Sequence, residues 1–358
     1  MTGIEGLLTV DLGAIAANWR ELAAAAPGDV GAAVKADGYG LGAAPVSRAL
    51  LATGCRHFFV AHLAEGVAVR EAIGPGPMVA VLNGFPPGAE GGEGLVPVLN
   101  GLPDAAAWTA AARRAGRALP AILHVDTGMA RLGLDAAELE RVAADHGLLA
   151  GLDLRYVMTH LACADAPEHP LNAEQARRFR AACARLPPAP QSFANSAGLF
   201  LGSEFDSDLG RPGCALYGIN PTPGRANPMR QVVRLEAPIL QVREIPAGAS
   251  VGYGASWTAP RPSRIATVAA GYADGYLRAL SGRAAGILAG RPVPLVGRVS
   301  MDLITFDVTD MPLPSPGDRI GLIGPGQTPD DLAFAAGTIG YEILTSLGAR
   351  YRRDHIGA

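Results

Sequence analysis

The chain has 358 residues, 49% hydrophobic and 18% charged, with a formal net charge of -3. That length allows two domains, or one large barrel with an appendage, and the composition excludes a disordered chain. With no basic stripe and no aromatic-basic interleaving, nucleic acids are not expected as partners, and no apolar run is long enough to span a bilayer. The four cysteines, Cys55, Cys163, Cys183 and Cys214, are dispersed and form no Cys-x-x-Cys pair. They read as buried thiols in a reducing cytoplasm, with neither a disulfide nor a metal site. The opening stretch, Met1 to Gly6, has no basic segment leading into an apolar run, so no signal peptide is expected.

In chain order, Leu7 to Asp11 is strand-like and could pair with either domain. Short apolar runs then alternate with stretches of helical period up to about residue 215. The runs are 31–36, 57–62, 77–82, 95–100, 121–126, 154–160, 191–196 and 207–211. Helical patterns include 43–53, 103–117, 135–146 and 171–186. Eight strand-helix units in roughly 200 residues predict a parallel (β/α)8 TIM-like barrel. An open doubly wound sheet is the other arrangement, but no Gly-x-Gly-x-x-Gly follows the first strand to support it. A Pro/Gly/Asn stretch beginning at Asn220 then acts as a linker. Beyond it the runs 231–244, 264–271, 287–298, 303–308 and 319–323 predict a β-rich domain, with short helices at 329–336 and 340–347. The expected division is therefore a barrel over 1–225 and a β-rich C-terminal domain over 226–358.

Barrel active sites lie at the C-terminal ends of the strands. The first predicted strand ends at Lys35, the only lysine in the chain; 30 Lys+Arg less that one leaves 29 arginines. Arginine has replaced lysine everywhere except where a primary amine is irreplaceable, because guanidinium neither forms a Schiff base nor gives up its proton. The fifth strand leads into His124-Val-Asp126-Thr-Gly-Met-Ala-Arg131, the sixth into Thr159-His160, the seventh into Asn195-Ser196. The eighth leads into Arg211-Pro-Gly213-Cys214-Ala-Leu-Tyr217. Loops after the last two strands are a frequent phosphate site in such barrels. A lone amine across the mouth from a phosphate site suits pyridoxal phosphate.

These residues, with Val-Lys35-Ala-Asp-Gly-Tyr39-Gly, Val-Gly-Tyr253-Gly-Ala, Gly-Tyr272-Ala-Asp274-Gly-Tyr and Gly-Arg298-Val-Ser-Met301-Asp302, give the chain its resemblance to the alanine racemases, pyridoxal phosphate enzymes of fold type III. The resemblance runs from about residue 8 to about residue 350. It implies that Lys35 holds pyridoxal phosphate as a Schiff base and serves as one base. Tyr253, from the other subunit of a homodimer with shared active sites, would be the second, so that the C-terminal domain completes its partner's site. A free phenol loses its proton only near pH 10, and in the family a network matching His160, Arg131 and Arg211 assists it. Arg211 would face the pyridine nitrogen, where many enzymes of this cofactor class put a carboxylate. Tyr39, Ser196, Gly213 and Cys214 would bind the phosphate, with His160 and Asn195 also at the cofactor. Arg131 and the amide region of Met301 would meet the substrate carboxylate, and Tyr272 and Met301 would narrow the entrance for a small amino acid.

Three departures from the family stand out. His124 occupies the position of a carbamylated lysine that braces Arg131 in many relatives, so imidazole or a bound anion must do that here. The second phosphate tyrosine aligns with Ala349, leaving Tyr351, two residues on, as the candidate cofactor ligand. Ser300 replaces a common cysteine. The expected function is racemisation of alanine in the cytoplasm. A racemase of another small amino acid such as serine, or a fold-type III decarboxylase, is the alternative. A non-enzymatic carrier of the cofactor would lack the second domain, and a metal-dependent barrel hydrolase would need clustered ligands that seven scattered histidines do not offer.

Overall fold

The structure, a computed structural model, describes residues 5–86 and 94–357. The chain divides into two compact units, one from Ile15 to Arg230 and one combining the first fourteen residues with those from Gln231 onward. Met1 to Ile4, at the start read for a signal peptide, lie outside the described residues.

In the first unit, seven parallel strands pair in sequence order: Ala32–Ala33, His57–Val60, Met78–Val81, Leu95–Leu99, Leu119–His124, Leu152–Met158 and Gln191–Ser192. The eighth, Leu209–Gly210, pairs in parallel with Asp29–Val30. Amides of Asp29, Gly31 and Ala33 donate to carbonyls of Asp208, Gly210 and Pro212, while Arg211 N–H reaches the Ala194 carbonyl at 2.8 Å. The last strand thus bonds to both the first and the seventh, and the eight predicted strands form a closed ring. Such strands are covered on both faces and read as continuous apolar runs, as Leu95–Leu99 does. Ala33, Phe59, Ala80, Val98, Ile122 and Met158 fill the interior. Helices cover the outside at Ala43–Thr53, Leu63–Ile73, Leu102–Ala115, Ala136–Ala144 and Pro170–Cys183. Their ends follow local chemistry: Asp135 and Glu138 form a capping box at one start, and Gly116 closes another helix in the left-handed region.

Several strands are shorter than expected, and two of them show a local reason. The first, read as 31–36, breaks at Gly31, where a Cβ would press on the His57 carbonyl and the Phe59 ring, and stops at Ala33. The seventh, read as 191–196, ends at Ser192 because Asn195 Oδ1 accepts the Gly198 amide and bends the chain into a turn.

The β-rich unit is built around Val233–Ile245. Its first half pairs with Leu7–Asp11 and Arg319–Ile323, and its second half, beyond a bulge near Ile239, with Ser263–Val268, which pairs in turn with Ile304–Asp307. Leu7–Asp11 also pairs in parallel with Arg352–Ile356. Both backbone edges of this first strand are therefore taken by C-terminal strands. The first fourteen residues, assigned with the barrel by a division at 225/226, belong to this unit, and the break falls at 230/231. The run 287–298 is not one strand but includes a hairpin, Ala285–Leu288 with Arg291–Pro294, turning at Ala289 and Gly290, both at positive φ. The short helices lie at Pro329–Ala336 and Gly340–Thr345. Arg352–Ile356 was not expected from the sequence, since its charged residues suit an exposed strand.

Asn18 ties the barrel unit's entry to its exit. Fully buried, it donates to the Leu216 and Arg230 carbonyls at 3.2 and 2.9 Å and accepts the Arg230 amide at 2.7 Å. Asn18→Ala strands all three groups and should lower unfolding free energy by about 2–3 kcal/mol, read by denaturant titration. A loss within error of zero would mean that other contacts hold this junction.

Candidate active site

Lys35 follows directly on Val34, whose amide closes the first barrel strand onto the Phe59 carbonyl at 2.8 Å. The chain then makes a left-handed turn, with φ of 53°, 52°, 62° and 57° at Ala36, Asp37, Gly38 and Tyr39. Only glycine enters that region freely, and each of the other three costs about 1–2 kcal/mol. Several bonds offset the strain. Gly38 N–H reaches the Val34 carbonyl at 2.9 Å and Gly40 N–H that of Ala36 at 2.8 Å. Asp37 Oδ1 accepts the Ala43 amide at 2.8 Å, and Glu65 Oε1 accepts the Ala36 amide at 2.7 Å. The turn brings the Tyr39 ring onto that of Tyr217, with centroids 4.5 Å apart. Burial, then the nearby Arg131, lowers the Lys35 pKa, while Glu65 opposes them. The amine is thereby moved toward the neutral form a nucleophile or base requires. Burial raises the Tyr39 pKa, so its hydroxyl keeps its proton for donation.

Opposite this turn lies a cradle of the last two strand ends. Ser196 Oγ accepts amides from Gly213 at 2.9 Å and Ala215 at 3.3 Å. With both lone pairs engaged, the hydroxyl has its hydrogen left to give. A Cβ on Gly213 would collide with the Tyr39 hydroxyl, so only glycine lets backbone and phenol close on the same space. Hydroxyls and glycine-bordered amides converging here suit a phosphate, which is the fit pyridoxal phosphate requires. Asn195 turns both ends of its amide to backbone, Gly198 N–H and the Leu161 carbonyl. It shapes the turn that carries Ser196.

Arg211 is only 5% exposed. Its guanidinium donates to Ser192 Oγ at 2.6 Å and to the Thr159 carbonyl at 2.5 Å, both neutral oxygens, and burial pushes its pKa down to about 10. Its charge works on the histidines around it. Burial first, then Arg211, holds the His160 pKa down at about 3 and that of His124 at about 4; Arg131 depresses both further. His124 is also fixed in tautomer. Asn100 gives its amide hydrogens to the Leu82 and Val98 carbonyls, so its Oδ1 must accept, and His124 Nδ1 donates to it at 2.8 Å. Nε2 is then the acceptor nitrogen of a neutral ring.

Arg131 is exposed at the end of a loop wrapped on Asp126, whose Oδ1 accepts the amides of Gly128, Met129 and Ala130. Gln175, buried in a helix, donates to Thr127 Oγ1 at 3.0 Å and the His160 carbonyl at 2.9 Å and accepts the Ala162 amide. It locks together the loops bearing Arg131 and His160. Sequence reasoning passed over Glu65, Asn100, Ser192 and Gln175. Of these only Glu65 carried a local signal, as an acid in the first turn of a helix.

The remaining expected residues lie in the β-rich unit. Tyr253 is 69% exposed on a short turn between Gly252 and Gly254, with the Arg298 guanidinium against Gly254. Tyr272 and Met301 are also exposed. Tyr272 N–H donates to the Ser300 carbonyl and Ala273 N–H to that of Met301, an approach possible because Gly271 has no side chain to strike Met301. Arg350 steadies both segments, donating to Asp274 at 2.6 Å and Asp302 at 2.7 Å. Tyr351 is not with them. It is 4% exposed, its ring packs against Gly6, and its hydroxyl is buried with no hydrogen-bond partner. Its ring takes part in the packing of the β-rich unit.

Comparison with known proteins agrees across both units. The family "Alanine racemase, N-terminal domain" matches residues 10–221, and "Alanine racemase, C-terminal domain" matches 232–355. The alanine racemase of Acidiphilium cryptum is 56% identical over 349 residues, covering 97% of either chain. A catabolic alanine racemase of Mesorhizobium japonicum is 51% identical, covering 98% of this chain and 93% of that one. Among solved structures, the alanine racemase of Bartonella henselae, described with covalently bound pyridoxal phosphate, superposes with a TM-score of 0.95 at 42% identity, over 98% and 99% of the chains.

The suppressed histidines predict a pH dependence of stability. From the ordinary 6.5, His124 falls to about 4 and His160 to about 3, with His57 lowered by burial as well. As pH drops through 6.5 the unfolded chain takes up protons that the folded one refuses. Stability is therefore full above about 6.5 and declines toward pH 4. Thermal unfolding between pH 8 and 5 should show the midpoint falling, with a shallower slope in His124→Gln. A flat profile would mean that these rings are charged in the folded protein.

Proposed function

The chain belongs to the alanine racemase family, and from that premise we propose how its own side chains interconvert L- and D-alanine with pyridoxal phosphate. The observation that carries the reading is the sole lysine, its pKa lowered, at the end of the first barrel strand and in the field of Arg131. Lys35 holds the cofactor. Ser196 and Tyr39 would receive its phosphate beside the backbone at Gly213 and Cys214, and Arg211 would meet its pyridine nitrogen. When bound, pyridoxal phosphate supplies the electron sink that lets the substrate's Cα release its proton.

The protein's task is to handle that proton on two faces. Lys35 Nζ serves one face. Tyr253 Oη, carried by the β-rich C-terminal domain of the partner subunit in a homodimer, serves the other. Its high exposure supports this reading, because a residue that works in a partner's site must project from its own fold. His160, kept neutral, can accept a hydrogen bond from a phenol, which a charged imidazole could not. Arg131, held by the Asp126 loop, binds the substrate carboxylate with the Met301 amide region, and Tyr272 and Met301 restrict the entrance to a small side chain. Arg211 cannot yield its proton, so it withholds the full protonation of the ring nitrogen that would favour side reactions. Such an enzyme works in the cytoplasm, without membrane or nucleic-acid partners. Among the described residues no helix is long and apolar enough to cross a membrane.

Two measurements test the reading. Borohydride reduction and peptide mapping should find a pyridoxyl adduct on Lys35, and mixing inactive Lys35→Ala and Tyr253→Phe chains should restore about one quarter of wild-type activity. Half of randomly paired dimers are mixed, and each has one intact site in two. An unlabelled Lys35 would sink the cofactor assignment, and a mixture that stays inactive would return Tyr253 to its own chain. Arg211→Glu should slow racemisation and raise side transamination in a chiral assay coupled to pyruvate detection. An unchanged partition would count against the role given to Arg211.

A further inference from the structure

We propose that Glu65 is a positioning residue for Lys35, its carboxylate clamping the left-handed turn that aims the lysine amine and the Tyr39 phenol into one site. This rests on the reading of Lys35 as the cofactor-holding amine. Glu65 stands in the first turn of helix Leu63–Ile73. An acid there ordinarily satisfies the helix's own opening amides, and Oε2 does so, accepting Ala61 N–H at 2.7 Å and His62 N–H at 3.1 Å. Oε1 leaves the helix and accepts the amide of Ala36 at 2.7 Å, 29 residues back in the chain. The helix needs nothing from that second bond; the turn after Lys35 does.

Ala36 is the first of four consecutive residues at φ near +55°, and three of the four are not glycine. The turn's own bonds engage the Ala36 carbonyl and the residues after it, while the Ala36 amide is held by Glu65; were Ala36 to relax to negative φ, the residues behind it would be redirected. A carboxylate suits the clamp because all the groups it meets are N–H donors. Glutamine would turn an NH2 toward one set of them, so either the helix bonds or the Ala36 bond would be lost whichever way the amide faced.

The test compares wild type, Glu65→Gln, Ala36→Gly and the double variant as full chains loaded with pyridoxal phosphate. A pyridoxyl adduct on wild-type Lys35 is required first; its absence defeats the reading of the site and leaves the clamp out of account. Given the adduct, Glu65→Gln should lose about tenfold or more in kcat with KM within about threefold of wild type. Adding Ala36→Gly should recover most of the loss, since glycine takes the left-handed conformation without help. A second readout separates clamp from charge. In the cofactor-free full chain, the rate of Lys35 acetylation by acetic anhydride against pH, followed by peptide mass, reports this amine alone among side chains. Its midpoint should fall in Glu65→Gln, because the acid that opposes the lowering is gone, and stay low in the double variant while kcat recovers. If kcat stays depressed along with the midpoint, Glu65 acts through its charge and the proposal is overturned. Glu65→Asp keeps the charge but shortens the reach, so it should hold the midpoint and lose kcat, which covers the case of Glu65→Gln failing to fold. Unimpaired kcat in Glu65→Asp would equally overturn it.

Discussion

The guanidinium of Arg211 lies buried in the barrel, where among the described residues a hydroxyl and a carbonyl are its partners. A buried cation of this kind is tolerated where surrounding dipoles hold it and where other charges are arranged around it. After burial itself, it is the strongest influence holding His160 and His124 neutral, and with Arg131 it gives the barrel site positive charge. A site so charged favours anions, and a phosphate ester and an amino-acid carboxylate meet that demand. Burial, and after it the charge of Arg131, lowers the lysine pKa toward the range where an amine can act as nucleophile and base.

Strain is the second feature. Three non-glycine residues sit in the left-handed region immediately after the one lysine, held by bonds from both sides. Their conformation is unfavourable locally and is maintained by tertiary contacts, as is common where a functional group must point in one direction only. Stability above neutral pH and activity therefore draw on the same residues. His160, one of the histidines expected to make the fold acid-sensitive, is also the one whose neutrality the proposed chemistry would use.

The β-rich unit solves a different problem. It must display Tyr253, Tyr272 and Met301 outward, which apolar burial would oppose, and it does so by securing their backbones. Gly271 admits the Met301 carbonyl, and Arg350 joins Asp274 to Asp302. Exposed side chains on a firmly held backbone are what the proposed shared site between subunits would require.

Much of this was legible in the sequence, because it depends on local pattern and residue chemistry. Alternating apolar runs and helical periods foretold the barrel, and a solitary lysine in a chain with 29 arginines singled out the amine proposed as reactive. The polar residues at strand ends followed from barrel geometry. What only the tertiary structure decided depends on contacts between distant segments, which no local period encodes. It joined the first strand to the C-terminal sheet through both of its backbone edges and buried Tyr351 against Gly6. It turned Asn100 onto His124, fixing a proton on one nitrogen, and set Gln175 across two catalytic loops. It also brought Glu65 to the amide behind Lys35. The chemistry a side chain offers is its own property and can be read from sequence; its direction and protonation are set by neighbours that only folding assembles.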